Sequence, residues 1–159
     1  MQKQLIECVP NISEGRDITK IKLIANTVET VEGVKLLDID PGKATNRTVI
    51  TFVGEPEQVI EAAFRLIKKA SELIDMSKHK GEHARMGATD VCPFIPVANI
   101  SMEETAEFAI KLAKRVGENT DIPVYLYGAS QPNTKRNVLS IIRQGEYEGF
   151  FDKIKQQST

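Results

Sequence analysis

The stretch LLDIDPGKATNRTVITFVG, residues 36–54, decides the fold because it contains two runs with strand character and a turn between them. The second run, RTVITFVG, is rich in the β-branched and aromatic residues that strands favour, and it stops at Gly54. Between the runs, PGKATN combines proline, glycine and asparagine, which are typical of tight connections. The stretch therefore predicts two neighbouring strands joined by a short loop, a β-hairpin.

Segments with helical character lie on both sides of this hairpin. Residues 18–31 before it and residues 56–74 after it place apolar side chains three or four positions apart, the spacing of one helix face. Pro56 is compatible with the first turn of its helix, where the missing N–H has no partner to lose. Strand-like apolar runs complete the pattern, LIECVP at residues 5–10 and VCPFIPV at residues 91–97. The elements therefore follow the order βαββαβ.

This order is the split-βαβ pattern of an α+β fold, in which an antiparallel-to-mixed sheet carries two helices on one face. Pro93 and Pro96 cannot donate to a ladder, so they predict an edge position for the last strand. Beyond the pattern, Ser101 and Glu104 have the spacing of a capping box ahead of a helix at residues 102–116. The other elements predicted in this C-terminal helix-strand-helix extension are a strand at residues 122–128 and short helices at residues 134–143 and 149–157.

The composition is that of a globular protein. The 159 residues are 41% hydrophobic and 27% charged, which is enough for one domain over residues 1–159 with a substantial core. The 21 basic and 22 acidic residues occur without blocks and give a formal charge of -1, which argues against a nucleic-acid or membrane partner. No apolar run suits a signal peptide or the roughly 20 residues of a membrane span, so we expect a cytoplasmic protein.

The two cysteines, Cys8 and Cys92, each lie inside an apolar run. In a reducing compartment this position predicts two buried thiols, and neither a disulfide nor half of a metal site. Neither cysteine has basic or histidine neighbours in the sequence, so we assign neither of them a role as a nucleophile.

Both histidines of the chain lie in DMSKHKGEHARMGATD, residues 75–90. HKGEH, from His79 to His83, matches the H-x-x-E-H pattern of some zinc peptidases, in which two histidines on one helical face bind the metal. Gly81 would cost such a helix about 1 kcal/mol relative to alanine, and the segment has no apolar stripe to dock it. The sequence identifies no third ligand, so a zinc-dependent hydrolase is the weakest interpretation. A solvated turn whose histidines have no role is another alternative.

Two polar, glycine-containing segments, KHKGEHAR and DIDPGKATNR, each adjoin a predicted strand. Polar residues on loops at strand ends, held by a rigid sheet, are where binding chemistry tends to lie. A histidine can accept or donate a proton near neutral pH. The arrangement therefore favours a small-molecule site that includes a histidine.

Five motifs together resemble the N-terminal half of the glutamate formiminotransferase family. They are CVPNISEGRD, LLDIDPGKATNRTVITFVG, IDMSKHKGEHARMGATDVCPFIPV, IPVYLYG and IRQGEYEG, in order from about residue 7 to residue 149. The resemblance implies a ferredoxin-like fold. It also implies transfer of a formimino group between N-formimino-L-glutamate and tetrahydrofolate in histidine degradation, with tetrahydrofolate as co-substrate and without metal. It places the catalytic histidine of the GEH motif at His83, with His79 as its neighbour.

The implied chemistry needs a base. The formimino carbon belongs to an amidine that becomes electrophilic when its nitrogen is protonated, and the attacking amine loses a proton as the tetrahedral intermediate forms. We assign His83 as this base. Asp40, in LDIDPG, is assigned to stabilise the amidinium or to orient the imidazole. The alternative for Asp40 is a turn-forming role before Pro-Gly.

The predicted substrate-binding residues are Arg47, Arg85, Asn11, Glu14 and His79. The two arginines could hold ligand carboxylates through bidentate hydrogen bonds, or form surface ion pairs. The polar residues after the first strand could line the same cleft. The alternative for this turn is capping of the next helix by Ser13 or Asp17.

Two features differ from the usual pattern of the family. Ala84 follows His83 where proline is usual, which leaves the loop less rigid. The family's catalytic module also has a second subdomain, which supplies folate contacts together with the connecting segment, and a cleft needs both walls to bury a ligand. We therefore expect half of a two-part enzyme, a stand-alone relative, a truncated form, or a homo-oligomer. The alternative from another class is a non-catalytic, folate- or glutamate-binding or regulatory module.

Overall fold

The computed structural model describes residues 3–74, 88–120, 122, 125–127 and 140–142. Within these residues the strands are β1 (Leu5–Cys8), β2 (Asn11–Ile12), β3 (Lys35–Gly42), β4 (Arg47–Gly54), β5 (Thr89–Val91), β6 (Phe94–Ala98), β7 (Tyr125–Tyr127) and β8 (Ser140–Ile142). The helices are α1 (Ile18–Asn26), α2 (Pro56–Leu73) and α3 (Met102–Asn119), with a 3₁₀ turn at Thr27–Thr30. None of the helices in this part of the chain is long and apolar enough to cross a membrane.

The helix ends follow from their local sequences. The Ser101 hydroxyl accepts the Glu104 N–H and the Glu104 carboxylate accepts the Ser101 N–H, both at 3.0 Å, so the predicted capping box of α3 is confirmed. The bond from the Ser101 N–H holds the pKa of Glu104 below its usual value. The helix predicted over residues 18–31 is divided, because the Thr27 hydroxyl bonds the Ile24 carbonyl at 2.6 Å and β-branched residues crowd the following turn.

Every strand pair in the described residues is antiparallel. β4 pairs with β3 on one side and with β1 and β2 on the other, and β1 and β2 pair in turn with β6 and β5. The strand predicted at residues 5–10 is β1, and after a break at residues 9–10 the pairing resumes in β2, beyond the predicted end. The strand predicted at residues 91–97 is divided into β5 and β6 by a break at residues 92–93. Each break contains a proline, which has no N–H to donate. Within the described sheet the predicted edge position holds for β6, whereas β5 lies between β2 and β8.

One face of the sheet is buried under the helices. Residues of β4 alternate between buried and half-buried positions, with Ile50 and Phe52 on the buried face. α2 contacts β1 and β4 and contributes its apolar stripe to the same core. The largest fully buried side chains are Phe52, Phe94, Ile6, Ile12, Ile21, Ile24, Ile50, Leu66 and Leu112. The predicted mixed α/β architecture with an antiparallel sheet is therefore confirmed, and the opposite face of the sheet stays half-exposed.

Ion pairs connect α3 to α2. Glu61 of α2 accepts a hydrogen bond from Arg65 at 2.6 Å and pairs with Arg115 of α3, whose guanidinium lies 4.2 Å from the centre of the Phe64 ring. The bond from Arg115, followed by that from Arg65, holds the pKa of Glu61 below its usual value. Because these groups are partly open to solvent, the pairs orient the two helices and the core supplies most of the stability.

The two cysteines touch at the level where both strands are interrupted. Cys8 Sγ and Cys92 Sγ are 3.3 Å apart, and both residues are fully buried. Burial, followed by the neighbouring Cys92, raises the pKa of the Cys8 thiol. The prediction of two buried thiols is confirmed. Their contact does not follow from the sequence, in which the two positions are 84 residues apart.

The prediction for the C-terminal extension is wrong in one place. Residues 140–142 form β8, paired with β7 and β5, where a helix is predicted over residues 134–143. Ile141 and Ile142 are β-branched, and pairing with two strands outweighs their local helical spacing. The strand predicted at residues 122–128 is confirmed by β7, and the helix predicted at residues 149–157 lies outside the described residues.

Candidate functional site

The half-exposed face of the sheet brings polar residues from three strands into one area. Asn11 of β2 and Asp40 of β3 each lie opposite Val49 of β4, on its two sides. Directly opposed residues of antiparallel strands point to the same face, so these three form a row across the sheet. With strands roughly 4.8 Å apart, the backbones of Asn11 and Asp40 are about 10 Å from each other. Arg47, paired with Gly42, lies two residues before Val49 at the start of β4 and on the same face.

A shallow cavity of about 250 Å³ opens on this face beside the β3–β4 loop. It is lined by Asn11, Asp40, Pro41, Gly42, Thr45, Arg47 and Val49. The structure thus brings together three of the predicted site residues, Asn11, Asp40 and Arg47. Pockets that hold drug-sized ligands typically measure about 300–1,000 Å³. This cavity therefore has room for an amino-acid-sized molecule, and a folate would extend beyond it.

The cavity offers groups of both charges. Asp40 is exposed and Arg47 is half-buried. The side-chain amide of Asn11 donates to the Val9 carbonyl at 3.2 Å, which fixes its orientation. A guanidinium can hold a carboxylate with two hydrogen bonds, and a carboxylate can hold a cationic nitrogen. The arrangement suits a small ligand that has a carboxylate at one end and a cationic nitrogen at the other.

Glu14 does not line this cavity. Its Oε2 accepts the backbone N–H groups of Arg16 and Asp17 at 3.1 and 3.0 Å. Asp17 Oδ1 in turn accepts the Lys20 N–H at 3.2 Å and caps α1. Both carboxylates therefore organise the turn that leads into α1. Helix capping by Asp17 is confirmed, and the substrate-binding role predicted for Glu14 stays a prediction.

The other predicted site residues, which lie outside the described residues, are His79, His83 and Arg85. The described structure resumes at Ala88, whose carbonyl accepts the Ser13 N–H at 2.8 Å. The chain then enters β5, which pairs with β2 and places Val91 opposite Asn11. The strand that follows the histidine segment is therefore a direct neighbour of the strand that carries Asn11.

The HKGEH pattern in the sequence also suggests a metal site. In the part of the chain that the structure describes, no group of three or more His, Cys, Asp or Glu side chains could hold a metal ion. The HKGEH pattern lies outside that part. The zinc interpretation and the expected absence of metal from the reaction therefore both stay predictions.

Sequence reasoning misses Thr45 in the cavity wall and Asn46 behind it. Asn46 has a positive φ of 54° and is 7% exposed. Its side-chain oxygen accepts the Gly15 N–H at 2.7 Å. Asparagine adopts left-handed backbone more readily than most residues, so its place directly before β4 is the signal that could identify this position.

Comparison with known proteins gives a match over nearly the whole chain. The family described as formiminotransferase domain, N-terminal subdomain, matches residues 5–159. Formimidoyltransferase-cyclodeaminases from Mus musculus and Dictyostelium discoideum are 53% and 50% identical, over 96% and 97% of this chain but 28% and 29% of their own lengths. Glutamate formimidoyltransferase from Streptococcus pyogenes serotype M1 is 42% identical over 97% of this chain and 52% of that protein. The chain therefore spans about half of the shorter relative and less than a third of the longer ones.

Proposed function

Because the chain belongs to the family of formiminotransferase N-terminal subdomains, we propose that it transfers a formimino group between N-formimino-L-glutamate and tetrahydrofolate as one part of a larger enzyme. The observation that carries this proposal is the cavity in which Asp40, Arg47 and Asn11 meet. N-formimino-L-glutamate carries its amidinium on the α nitrogen and its γ-carboxylate at the far end of the side chain, which matches the two charges of the cavity. The proposed activity is that of a one-carbon group transferase, with tetrahydrofolate as co-substrate.

The charges of the cavity give the substrate one orientation. Arg47 holds a carboxylate of the glutamate moiety, since a guanidinium fits a carboxylate with two parallel hydrogen bonds. Asp40 of β3, which lies opposite Val49 and so two positions from Arg47 along β4, stabilises the amidinium at the reacting end. Arg85, which follows the GEH motif, is proposed as a second carboxylate ligand. His79 is proposed as a neighbour of the reacting group.

The reaction transfers the formimino carbon from the glutamate nitrogen to a nitrogen of tetrahydrofolate, and one proton in the opposite direction. A nitrogen of tetrahydrofolate attacks the formimino carbon, a new C–N bond forms, and the attacking nitrogen gives its proton to His83. His83 returns this proton to the glutamate nitrogen as the old C–N bond breaks, so that glutamate leaves. Chain length supports the assignment, since Ala88, five positions after His83, lies at most about 18 Å from it along the chain, and the Ala88 carbonyl accepts the Ser13 N–H beside β2.

A second wall of the cleft is proposed to come from outside these 159 residues. The cavity is smaller than a folate needs, and the chain covers 52% of the Streptococcus pyogenes relative. The half-exposed sheet face continues from the cavity over Thr51 and Val53, and Val97 of β6 is 52% exposed. We propose that a second formiminotransferase subdomain covers this face, from the same polypeptide, a separate one, or another copy of this chain.

The finer fold and the location of the protein are also proposals. The sheet has the order of a ferredoxin-like fold, fourth, first, third and second, if β1 with β2 and β5 with β6 each count as one interrupted strand. Acidic and basic residues are spread evenly along the chain and give a formal charge of -1, which supports a protein that acts on small molecules. We place it in the cytoplasm, where the thiols of Cys8 and Cys92 stay reduced.

The proposal is tested by measuring formimino transfer with the purified chain, alone and together with the C-terminal half of the Streptococcus pyogenes glutamate formimidoyltransferase. We expect release of glutamate that depends on tetrahydrofolate and on the presence of both halves. Binding of N-formimino-L-glutamate without transfer would favour the non-catalytic binding module. Absence of both binding and transfer would refute the proposed function.

Replacing Arg47 by alanine is expected to raise KM for N-formimino-L-glutamate about 10- to 100-fold, because hydrogen bonds to a charged group are lost. The change in kcat is expected to be smaller, since the carboxylate is held in both ground and transition states. Arg47→Lys keeps the charge without the bidentate geometry and is expected to restore only part of the affinity. The matched control is Arg65→Ala, which removes the same charge from α2 on the helical side. An unchanged KM in Arg47→Ala would contradict the assignment.

A further inference from the structure

Hydrogen bonds between two loops hold the cavity wall in place, and the proposed reaction does not use them. Gly15, in the turn after β2, donates its N–H to Asn46 Oδ1 at 2.7 Å. One residue on, the Arg16 Nε donates to the Lys43 carbonyl at 2.9 Å. The Thr48 hydroxyl donates to the Glu14 carbonyl. Together these contacts between residues 14–16 and 43–48 form what we call the loop clamp.

The two backbones of the loop clamp are in direct contact at Gly15. A Cβ atom at this position would lie 2.1 Å from the Gly42 carbonyl oxygen and 2.6 Å from the Arg47 nitrogen. Gly42 and Arg47 both line the cavity, and Asn46 directly precedes Arg47. The clamp therefore acts on the same stretch of backbone that carries the guanidinium.

We propose that Asn46 is a positioning residue for this cavity: by accepting the Gly15 N–H in a left-handed conformation, it fixes the β3–β4 loop and so keeps Arg47 in the cavity wall. The inference rests on the proposed function insofar as it names N-formimino-L-glutamate as the ligand. Asn46 has no place in the cavity lining itself. Its effect on the ligand is exerted through the backbone of its neighbour.

The residue at this position must meet two separate requirements. Its φ of 54° disfavours residues other than glycine, asparagine and aspartate. Its buried side chain must also present an oxygen to the Gly15 N–H. Aspartate meets both requirements, whereas glycine meets only the first. Comparison of these two variants therefore separates the acceptor from the backbone conformation.

Asn99 supplies a matched control. It also has a positive φ, 57°, and its side-chain amide also bonds a backbone group, the Lys3 carbonyl at 2.7 Å. It lies between β6 and α3, beside the start of β1, whereas Asn11 of the cavity follows the end of that strand. Asn99→Gly thus loses a side-chain to backbone hydrogen bond at an exposed position away from the cavity.

The experiment measures binding of N-formimino-L-glutamate by calorimetry and amide hydrogen exchange over residues 42–48 in the ligand-free chain. We expect Asn46→Gly to weaken binding about tenfold and to speed exchange over residues 42–48 about tenfold. Asn46→Asp is expected to stay within about threefold of the wild type in both measurements, because it keeps the acceptor. Asn99→Gly should change neither, and its melting temperature should fall less than that of Asn46→Gly, because its hydrogen bond is exposed.

Two results would overturn the inference. Asn46→Gly could bind and exchange like the wild type while it melts earlier, which would leave Asn46 with a purely structural role. Alternatively, Asn99→Gly could weaken binding as much as Asn46→Gly does. If the wild-type chain shows neither binding nor transfer of N-formimino-L-glutamate, alone or with the complementary half, the proposed function fails, and the exchange rates alone then support or refute control of the loop by Asn46.

Discussion

Replacing His83 by alanine is expected to slow formimino transfer by about 10²- to 10⁴-fold while the chain stays folded. The attacking nitrogen of tetrahydrofolate must lose a proton during the reaction, and without the imidazole this proton has to go to water. Binding of N-formimino-L-glutamate is expected to change little, because Arg47 and Asp40 of the cavity stay in place. The measurement is single-turnover transfer in the presence of the complementary half, with circular dichroism to establish the fold.

His79→Ala is the matched control for this experiment. It removes the other imidazole of the chain, four residues away, and leaves the proposed base intact. We expect a smaller loss of kcat/KM than in His83→Ala, caused mainly by a higher KM. Equal losses in the two variants, or an unchanged rate in His83→Ala, would contradict the assignment of His83 as the base. Metal analysis of the wild-type protein separately tests the zinc interpretation of HKGEH.

Gly15→Ala is expected to lower the free energy of unfolding by about 3 kcal/mol, the upper part of the range for overpacking. The new Cβ would meet three backbone atoms, the Gly42 oxygen and the Arg47 nitrogen and oxygen, within 2.8 Å. Backbone atoms that are hydrogen-bonded in a hairpin cannot move aside as a flexible side chain can. Relief of the clash therefore separates the two loops, and we expect ligand binding to be lost together with stability. Urea unfolding and calorimetry measure the two effects.

Gly117→Ala is the same chemical change as Gly15→Ala, but we expect it to raise the free energy of unfolding. Gly117 lies in α3, and a Cβ atom there would have nothing within 4 Å. Alanine is favoured over glycine in a helix by about 0.5–1 kcal/mol, so this variant is expected to be slightly more stable than the wild type. A Gly15→Ala protein as stable as the wild type would show that the turn and the hairpin loop are not packed as described.

The elements that are predicted well are those fixed by local patterns. The hairpin of β3 and β4, the long helix α2 and the capping box of α3 depend on residues close in sequence, and the structure contains all three. The breaks at residues 9–10 and 92–93 are only partly predictable, because their prolines are visible in the sequence but their alignment depends on two distant segments lying side by side. β8 is wrongly predicted for the same reason, since its partners are β5 and β7.

In the cavity, too, residues marked by local sequence are predicted, whereas contacts between distant segments are not. Asn11, Asp40 and Arg47 stand out in the sequence because they are polar residues where strands begin or end, and one face of the sheet brings them together. Gly15 and Asn46 are 31 residues apart, and no sequence spacing connects them. Their relationship appears only when two loops are seen in contact.

The buried pair of thiols has a practical consequence for work on the cavity. Cys8 and Cys92 are the only cysteines of the chain, and both are fully shielded from solvent. A cysteine introduced at the exposed Ala44, in the β3–β4 loop, would therefore be the one sulfur that a maleimide dye reaches in the native protein. Fluorescence from a label at that position would report movement of the loop directly, without removal of the native cysteines.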